Sequence, residues 1–191
     1  MSPRAGLDAE SVVGAAARLA DAEGLEALTF TRLAAELGVR APSLYAHVGG
    51  IPDLRSRLAA RGIRELTATL QAAAAGRAGS DALAAIAEAY RGYALAHPGS
   101  YMAMQRAPDP SDAAATASSD ALVEVVLAVL RAYGLSGDAA IHAARAVRSA
   151  LHGFVTLESN EGFGLPLALE ESYRRLLIIL DRGLAAVENA A

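Results

Sequence analysis

TFTRLAAELGVRAPSLYAHV, residues 29–48, decides the reading of this chain. Phe30, Leu33, Ala34 and Leu37 recur at helical spacing, so a short amphipathic helix opens at Thr29. Gly38 ends it, because glycine takes the left-handed conformation that closes a helix. The chain then re-enters helix at once. Pro42 is tolerated in a first turn, and Gly49-Gly50 stops the second helix after about Ala41 to Val48. Leu44 and Val48 lie one turn apart and face Phe30, Leu33 and Leu37. Burying each such side chain is worth roughly 1.5–3 kcal/mol. Pro42, Ser43, Ala46 and His47 point the other way, and Tyr45 borders the core with its hydroxyl outward. Two short helices joined by a tight glycine turn, the second with one polar face, have the physics of a helix-turn-helix. A rod of this size fits a major groove about 12 Å wide.

Upstream, Asp8 is a good helix N-cap, and Val12, Ala16, Leu19 and Ala20 form an apolar stripe that Gly24 terminates. Downstream, Pro52 opens a longer helix through Leu54, Leu58, Ile63, Leu66 and Leu70. Ala75–Ser80 joins two halves. Asp81 caps a helix that His97-Pro98-Gly99 ends, a short helix follows at about Tyr101–Arg106, and Ala107–Ser119 is expected as a loop. Leu122–Tyr133 is helical up to Gly134. Two long helices close the chain, at about Gly137–Ser159 and Leu167–Val187, with Asn160–Pro166 turning between them. The fold class is all-α: a three-helix helix-turn-helix domain at 1–52 and a helical regulatory domain at 53–191.

Composition limits the function classes. The chain has 191 residues, 53% hydrophobic and 20% charged, which builds a core and not a disordered tail. There is no cysteine, so disulfides and thiolate metal sites are excluded. The first ten residues carry an acidic pair and no apolar signal segment. The greasiest stretch, Leu122–Leu130, is too short for a bilayer. No membrane partner is therefore expected, and the location is read as cytoplasmic. The net charge of −4 sits awkwardly with binding a polyanion, but only the contact surface must be positive. Every basic residue apart from histidine is Arg, which grips phosphate bidentately. Catalysis has no support: there is no Gly-x-Ser-x-Gly, no His-Glu-x-x-His and, without Lys, no P-loop. Glu158, Glu161, Glu170 and Glu171 near His152 lack metal-site spacing. No metal or other cofactor is implied.

These stretches resemble the tetracycline-repressor family. The likeness is carried by Leu-Thr at 28–29, Leu-Ala-Ala-Glu-Leu-Gly-Val at 33–39 and Leu-Tyr-Ala-His-Val at 44–48, within about residues 8–55. Leu-His-Gly-Phe-Val-Thr-Leu-Glu at 151–158, Gly-Phe-Gly-Leu-Pro at 162–166 and Glu-Ser-Tyr at 171–173 are similar to the regulatory domain called WHG in part of that family. The resemblance implies a ligand-responsive repressor that binds a near-palindromic operator as a homodimer. It implies DNA contacts for Thr29, Thr31, Arg32, Ala41, Pro42, Ser43, Tyr45 and His47. Arg40 stands where a capping Ser is common and adds a charge beside the backbone. Ile51 stands where many relatives carry a phosphate-binding Lys, with Arg55 and Arg57 a turn later. An effector of unidentified structure would lie among the middle helices, where Tyr90, Met102 and Gln105 line a pocket or simply fill core. His152 is a satisfied core histidine or a pocket hydrogen-bonding group. Leu151, Val155, Leu176, Leu180 and Leu184 would pair the subunits in a four-helix bundle. The competing reading is a helical small-molecule-binding or modifying protein that does not use its first helices on DNA.

Overall fold

A computed structural model describes residues 7–105 and 112–188. Among them every regular element is helical: α1 (Ala9–Glu23), α2 (Phe30–Leu37), α3 (Ala41–Leu44), α4 (Ile51–Ala74), α5 (Gly79–Ala96), α6 (Pro98–Ala103), α7 (Ala113–Leu130), α8 (Gly137–Ser159) and α9 (Leu169–Glu188). Short 3-10 turns at Leu25–Ala27 and Arg131–Tyr133 complete the set. The described residues fall into two compact units. One lies within Met1–Ile63 and Ala96–Thr116, the other within Arg64–Leu95 and Ala117–Ala191.

Local chemistry sets the ends of the helices in the first unit. Asp8 caps α1: its carboxylate accepts the Ser11 N–H at 2.8 Å, and the Ser11 hydroxyl accepts the Asp8 N–H at 3.2 Å. Thr29 caps α2 through the Arg32 N–H at 3.3 Å. The core is built from Val12, Ala16, Leu19 and Ala20 of α1, Leu28, Leu33 of α2, Leu44 of α3, Val48, and Leu54 and Leu58 of α4. The short helix α6 lies against α1. Asp21 accepts the Ser100 N–H at 2.8 Å and lies 3.2 Å from His97 Nδ1. Gly99 makes the approach possible, because a Cβ there would sit 2.2 Å from the carbonyl carbon and oxygen of Ala20.

The second unit buries Leu66 and Leu70 of α4, Leu83, Ile86 and Tyr90 of α5, Val125 and Val129 of α7, Val147, Leu151 and Val155 of α8, and Tyr173, Leu177 and Leu184 of α9. Two of its tyrosine hydroxyls are satisfied inside the protein, whereas the buried Thr156 hydroxyl has no hydrogen-bond partner. Tyr173 donates to the Ala87 carbonyl at 2.6 Å and Tyr133 to Asp181 at 2.6 Å. His152 is half-buried on α8, and its imidazole is held below the usual pKa by burial first and by Arg148 second.

Three boundaries differ from the sequence expectation. α6 begins at Pro98 rather than Tyr101, since proline's fixed φ suits a first turn. The loop expected at Ala107–Ser119 is helix from Ala113 onward. Asp112 caps it through the Ala115 N–H at 2.9 Å, and the alanines that follow are the best helix formers. Residues 107–111 lie outside the described residues. The resulting helical stretch, Ala113–Tyr133, is long and apolar enough to cross a bilayer by length and composition, unlike the shorter Leu122–Leu130 read from sequence. Here Val125, Val129, Leu130 and Tyr133 of that stretch are buried in protein. Finally, α3 is regular only over Ala41–Leu44, and tight turns carry the chain to Val48, where the Val48 N–H still donates to the Leu44 carbonyl at 3.1 Å.

Two stability predictions follow from this packing. Gly99→Ala should lower stability by about 1–3 kcal/mol in urea unfolding, as overpacking against backbone does. Gly92→Ala, with nothing within 4 Å of the added carbon, should be neutral or stabilising. Equal midpoints for the two variants would contradict the α1–α6 packing. His152 binds a proton less readily when folded than when unfolded. Its share of stability is therefore complete above about pH 6.5 and is lost as pH falls from there through the lower folded value. His152→Gln should flatten that part of the stability profile; an unchanged slope would contradict it.

Candidate nucleic-acid interface

Gly38 sets the angle between the two short helices of the first unit. It takes φ 65° and ψ 31°, the left-handed conformation, and its N–H and that of Val39 reach back to the Ala34 and Ala35 carbonyls. Leu44 and Val48 are then buried among α1, α2 and α4. That burial leaves no choice for the opposite side: Pro42, Ser43, Tyr45 and Ala46 are exposed, with Ala41 and His47 partly so. Tyr45 is 66% exposed, yet its ring is anchored edge-to-face on Phe30 with centroids 4.7 Å apart. The hydroxyl therefore stands outward on a supported ring.

The residues expected to contact DNA differ in exposure and hydrogen bonding. The Thr29 hydroxyl oxygen accepts from the Arg32 backbone, which leaves its proton for an outside acceptor such as phosphate. Thr31 and Arg32 are exposed on α2. The Ser43 hydroxyl donates to the Arg40 carbonyl at 2.6 Å, so it offers a neighbour its lone pairs and not its proton. His47 lies close enough to Asp8 to help keep that carboxyl below the usual range, an effect led by the hydrogen bonds from Ser11.

Electrostatics separates the arginines. Arg32 is paired with Glu23, Arg55 with Glu26 and the Leu25 carbonyl, and Arg57 with Asp53. Asp53 also accepts the Gly49 N–H at 2.8 Å, so Arg57 sits on a carboxylate already committed to the helix start. Arg55 and Arg57, which could have replaced the Lys that Ile51 displaces, are thus held by the protein's own acids. Ile51 packs against the core. Unlike these three arginines, Arg40 is exposed with no carboxylate beside it. Its guanidinium springs from the turn residue just before α3.

The other predicted sites are placed as follows. Tyr90 is buried on α5 and His152 half-buried on α8, both in the second unit. Met102 is exposed, and Gln105 is partly buried with its side-chain amide donating to the Tyr101 carbonyl at 2.9 Å; both belong to the first unit. Leu151, Val155 and Leu184 are buried within the chain's own core, whereas Leu176 and Leu180 are half-exposed. Sequence reasoning missed Ile141, Ile178 and Ile179, large apolar side chains left exposed on α8 and α9. It also missed Arg91, buried on α5 between acids. An arginine inside an apolar helical face was the available signal.

Comparison with known proteins supports both halves. Residues 12–54 match the family described as bacterial regulatory proteins, tetR family, and residues 83–180 match the tetracyclin repressor-like C-terminal domain. The chain is 46% identical over 156 residues to the HTH-type transcriptional regulator Rv0681 of Mycobacterium tuberculosis, covering 80% of this chain and 70% of that protein. It is 37% identical over 164 residues to the HTH-type transcriptional regulator YobS of Bacillus subtilis, covering 85% of each. Among solved structures, BioQ bound to its double-stranded DNA operator superposes with a TM-score of 0.68 at 26% identity, over 95% of this chain and 99% of that one. The exposed α2–α3 face belongs to a fold with a matched sequence at either end, and the chain is a member of the tetR family of bacterial regulatory proteins.

Proposed function

We propose that this tetR-family regulator is a ligand-responsive repressor that grips a near-palindromic operator as a homodimer. It would act in the cytoplasm and perform no catalysis. The observation that carries the reading is the α3 face, where exposed Tyr45, Ala46 and Pro42 are backed by fully buried Leu44. BioQ, a related fold, is solved on its operator.

In this reading α3 enters the major groove and α2 crosses the backbone. Thr29 and Tyr45 donate hydroxyl protons to phosphates and so fix register. Ala41 and Ala46 pack on thymine methyl groups, and Arg40 supplies the one strong base-reading or shape-reading group. Arg32 must trade Glu23 for a phosphate, so its contribution is smaller than a lone arginine's.

Two heads require two subunits. α9 is apolar on two sides. Tyr173, Leu177 and Leu184 face inward, while Leu176, Ile179, Leu180 and Gly183 form an outer stripe at helical spacing. Gly183 has open space around it, which lets a second helix approach closely. That stripe, with Ile141 on α8, is the proposed pairing surface. Leu151, Val155 and Leu184 support it from within. An effector held in the second unit would shift the population toward a spacing of the heads that does not match the operator. The domain limits used for this scheme are 1–52 for DNA and 53–191 for regulation.

The test starts from duplexes selected out of a random pool. Affinity should fall as salt rises, by about 0.9 log units per log unit of salt for each phosphate contacted. Arg40→Ala should weaken binding by about 1–3 kcal/mol and relax preference at one position of each half-site. Tyr45→Phe, which keeps the ring on Phe30, should cost about 0.5–1.5 kcal/mol uniformly across sequences. Failure to select any duplex would favour a small-molecule-binding protein instead. Separately, Ile179→Glu should turn a dimer in sedimentation analysis into a monomer with at least tenfold weaker operator binding. A variant that stays dimeric would remove the α9 stripe from the account.

A further inference from the structure

The second unit holds a charged cluster that neither DNA reading nor subunit pairing uses. Arg91 projects from α5 with its side chain only 8% exposed. Its Nε and Nη2 donate to Glu158 on α8 at 2.8 and 2.6 Å. Its Nη1 and Nη2 donate to Glu170, in the first turn of α9, at 2.7 and 3.0 Å. The Tyr173 ring lies 4.9 Å from the guanidinium and the Phe154 ring 6.0 Å. Both forks of the arginine are filled.

The two carboxylates are not equivalent. Glu158 is 13% exposed and Glu170 is 79% exposed. One guanidinium is neutralised by one carboxylate, so the second leaves the cluster with a negative charge. Glu158 is the resident counter-ion, because a buried charge that loses its partner is heavily penalised. Glu170 reaches the outer edge of Arg91 from the water side, and most of it is solvated already. Arg91 keeps its carboxyl below the usual range, so it is ionised at neutral pH.

We propose that the outer edge of Arg91 is an effector site for a monocarboxylate, and that Glu170 is the built-in competitor the ligand displaces. A carboxylate from solution offers Nη1 and Nη2 the same pair of oxygens, in the bidentate geometry arginine favours. The exchange leaves the charge of the buried cluster unchanged. A phosphate dianion would add a negative charge beside buried Glu158, and an ammonium would meet a guanidinium. The body of the ligand is apolar: Tyr173 and Phe154, which pack on the guanidinium, are buried, and the apolar side chains left open to solvent in the segment leading into α9 are Leu165 and Leu167, 77% and 72% exposed. Release of Glu170 frees the first turn of the helix whose outer stripe is proposed to join the subunits. The effector role therefore rests on the ligand-responsive reading above, while carboxylate binding at Arg91 does not.

Calorimetry on the full chain tests this with benzoate, octanoate and hexadecanoate, each against its primary amide. At least one carboxylate should bind once per chain, at least tenfold tighter than its amide. Glu170→Gln should tighten that binding about tenfold by removing the competing charge. Arg91→Met combined with Glu158→Met, which exchanges a buried pair for apolar side chains, should abolish it while circular dichroism shows a folded helical protein. The proposal is overturned if no carboxylate binds either wild type or Glu170→Gln, if acid and amide bind alike, or if the folded double variant still binds. Should that variant not fold, the comparison of wild type with Glu170→Gln decides alone. Selected duplexes are measured on the same preparation. Duplex binding without carboxylate binding sinks this site only; carboxylate binding in the stated pattern without any duplex binding sinks the repressor reading and leaves the site.

Discussion

Everything at the helix-turn-helix end depends on burying Leu44 and Val48 against α1, α2 and α4. A helix of four regular residues cannot hold itself together in water. Its orientation comes from two apolar anchors and from Gly38, whose positive φ aims the chain into them. Once they are buried, the exposure of Pro42, Ser43, Tyr45 and Ala46 is a geometric consequence. The edge-to-face contact of Tyr45 with Phe30 then fixes the one large polar side chain on that face.

Glu23, Glu26 and Asp53 occupy three of the four arginines discussed, which leaves Arg40 as the one of them with no carboxylate beside it. In the proposed reading the tension between a negative net charge and a nucleic-acid partner is eased because the charge needed is local, and Arg40 would supply it beside α3.

Helical spacing made most of the fold legible. Asp8, Gly24, Thr29, Gly38 and the Gly49-Gly50 pair mark element ends in the sequence and in the structure alike, because capping and left-handed turns are local chemistry. The first turns of α7 were hidden. A run of Pro, Asp, Ser and Ala reads as a loop until one notices that Asp112 can cap the alanines after it. Partner choice was harder still. Periodicity shows that α9 has apolar positions, but Leu184 turns into its own core while Ile179 faces out, and spacing alone does not separate inner from outer stripe. Arg91 needed tertiary structure, because Glu158 and Glu170 are 67 and 79 residues away along the chain.

In the proposed scheme α3 reads DNA and α9 sets the distance between two such helices; the Arg91 cluster touches the start of α9. Hydroxyl-radical footprinting of the wild-type protein on its selected operator tests this most directly. The account predicts two protected half-sites whose centres lie about 34–36 Å apart on one face of the duplex, each lost when the subunits are separated. A single protected patch, or protection that persists for separated subunits, would contradict it.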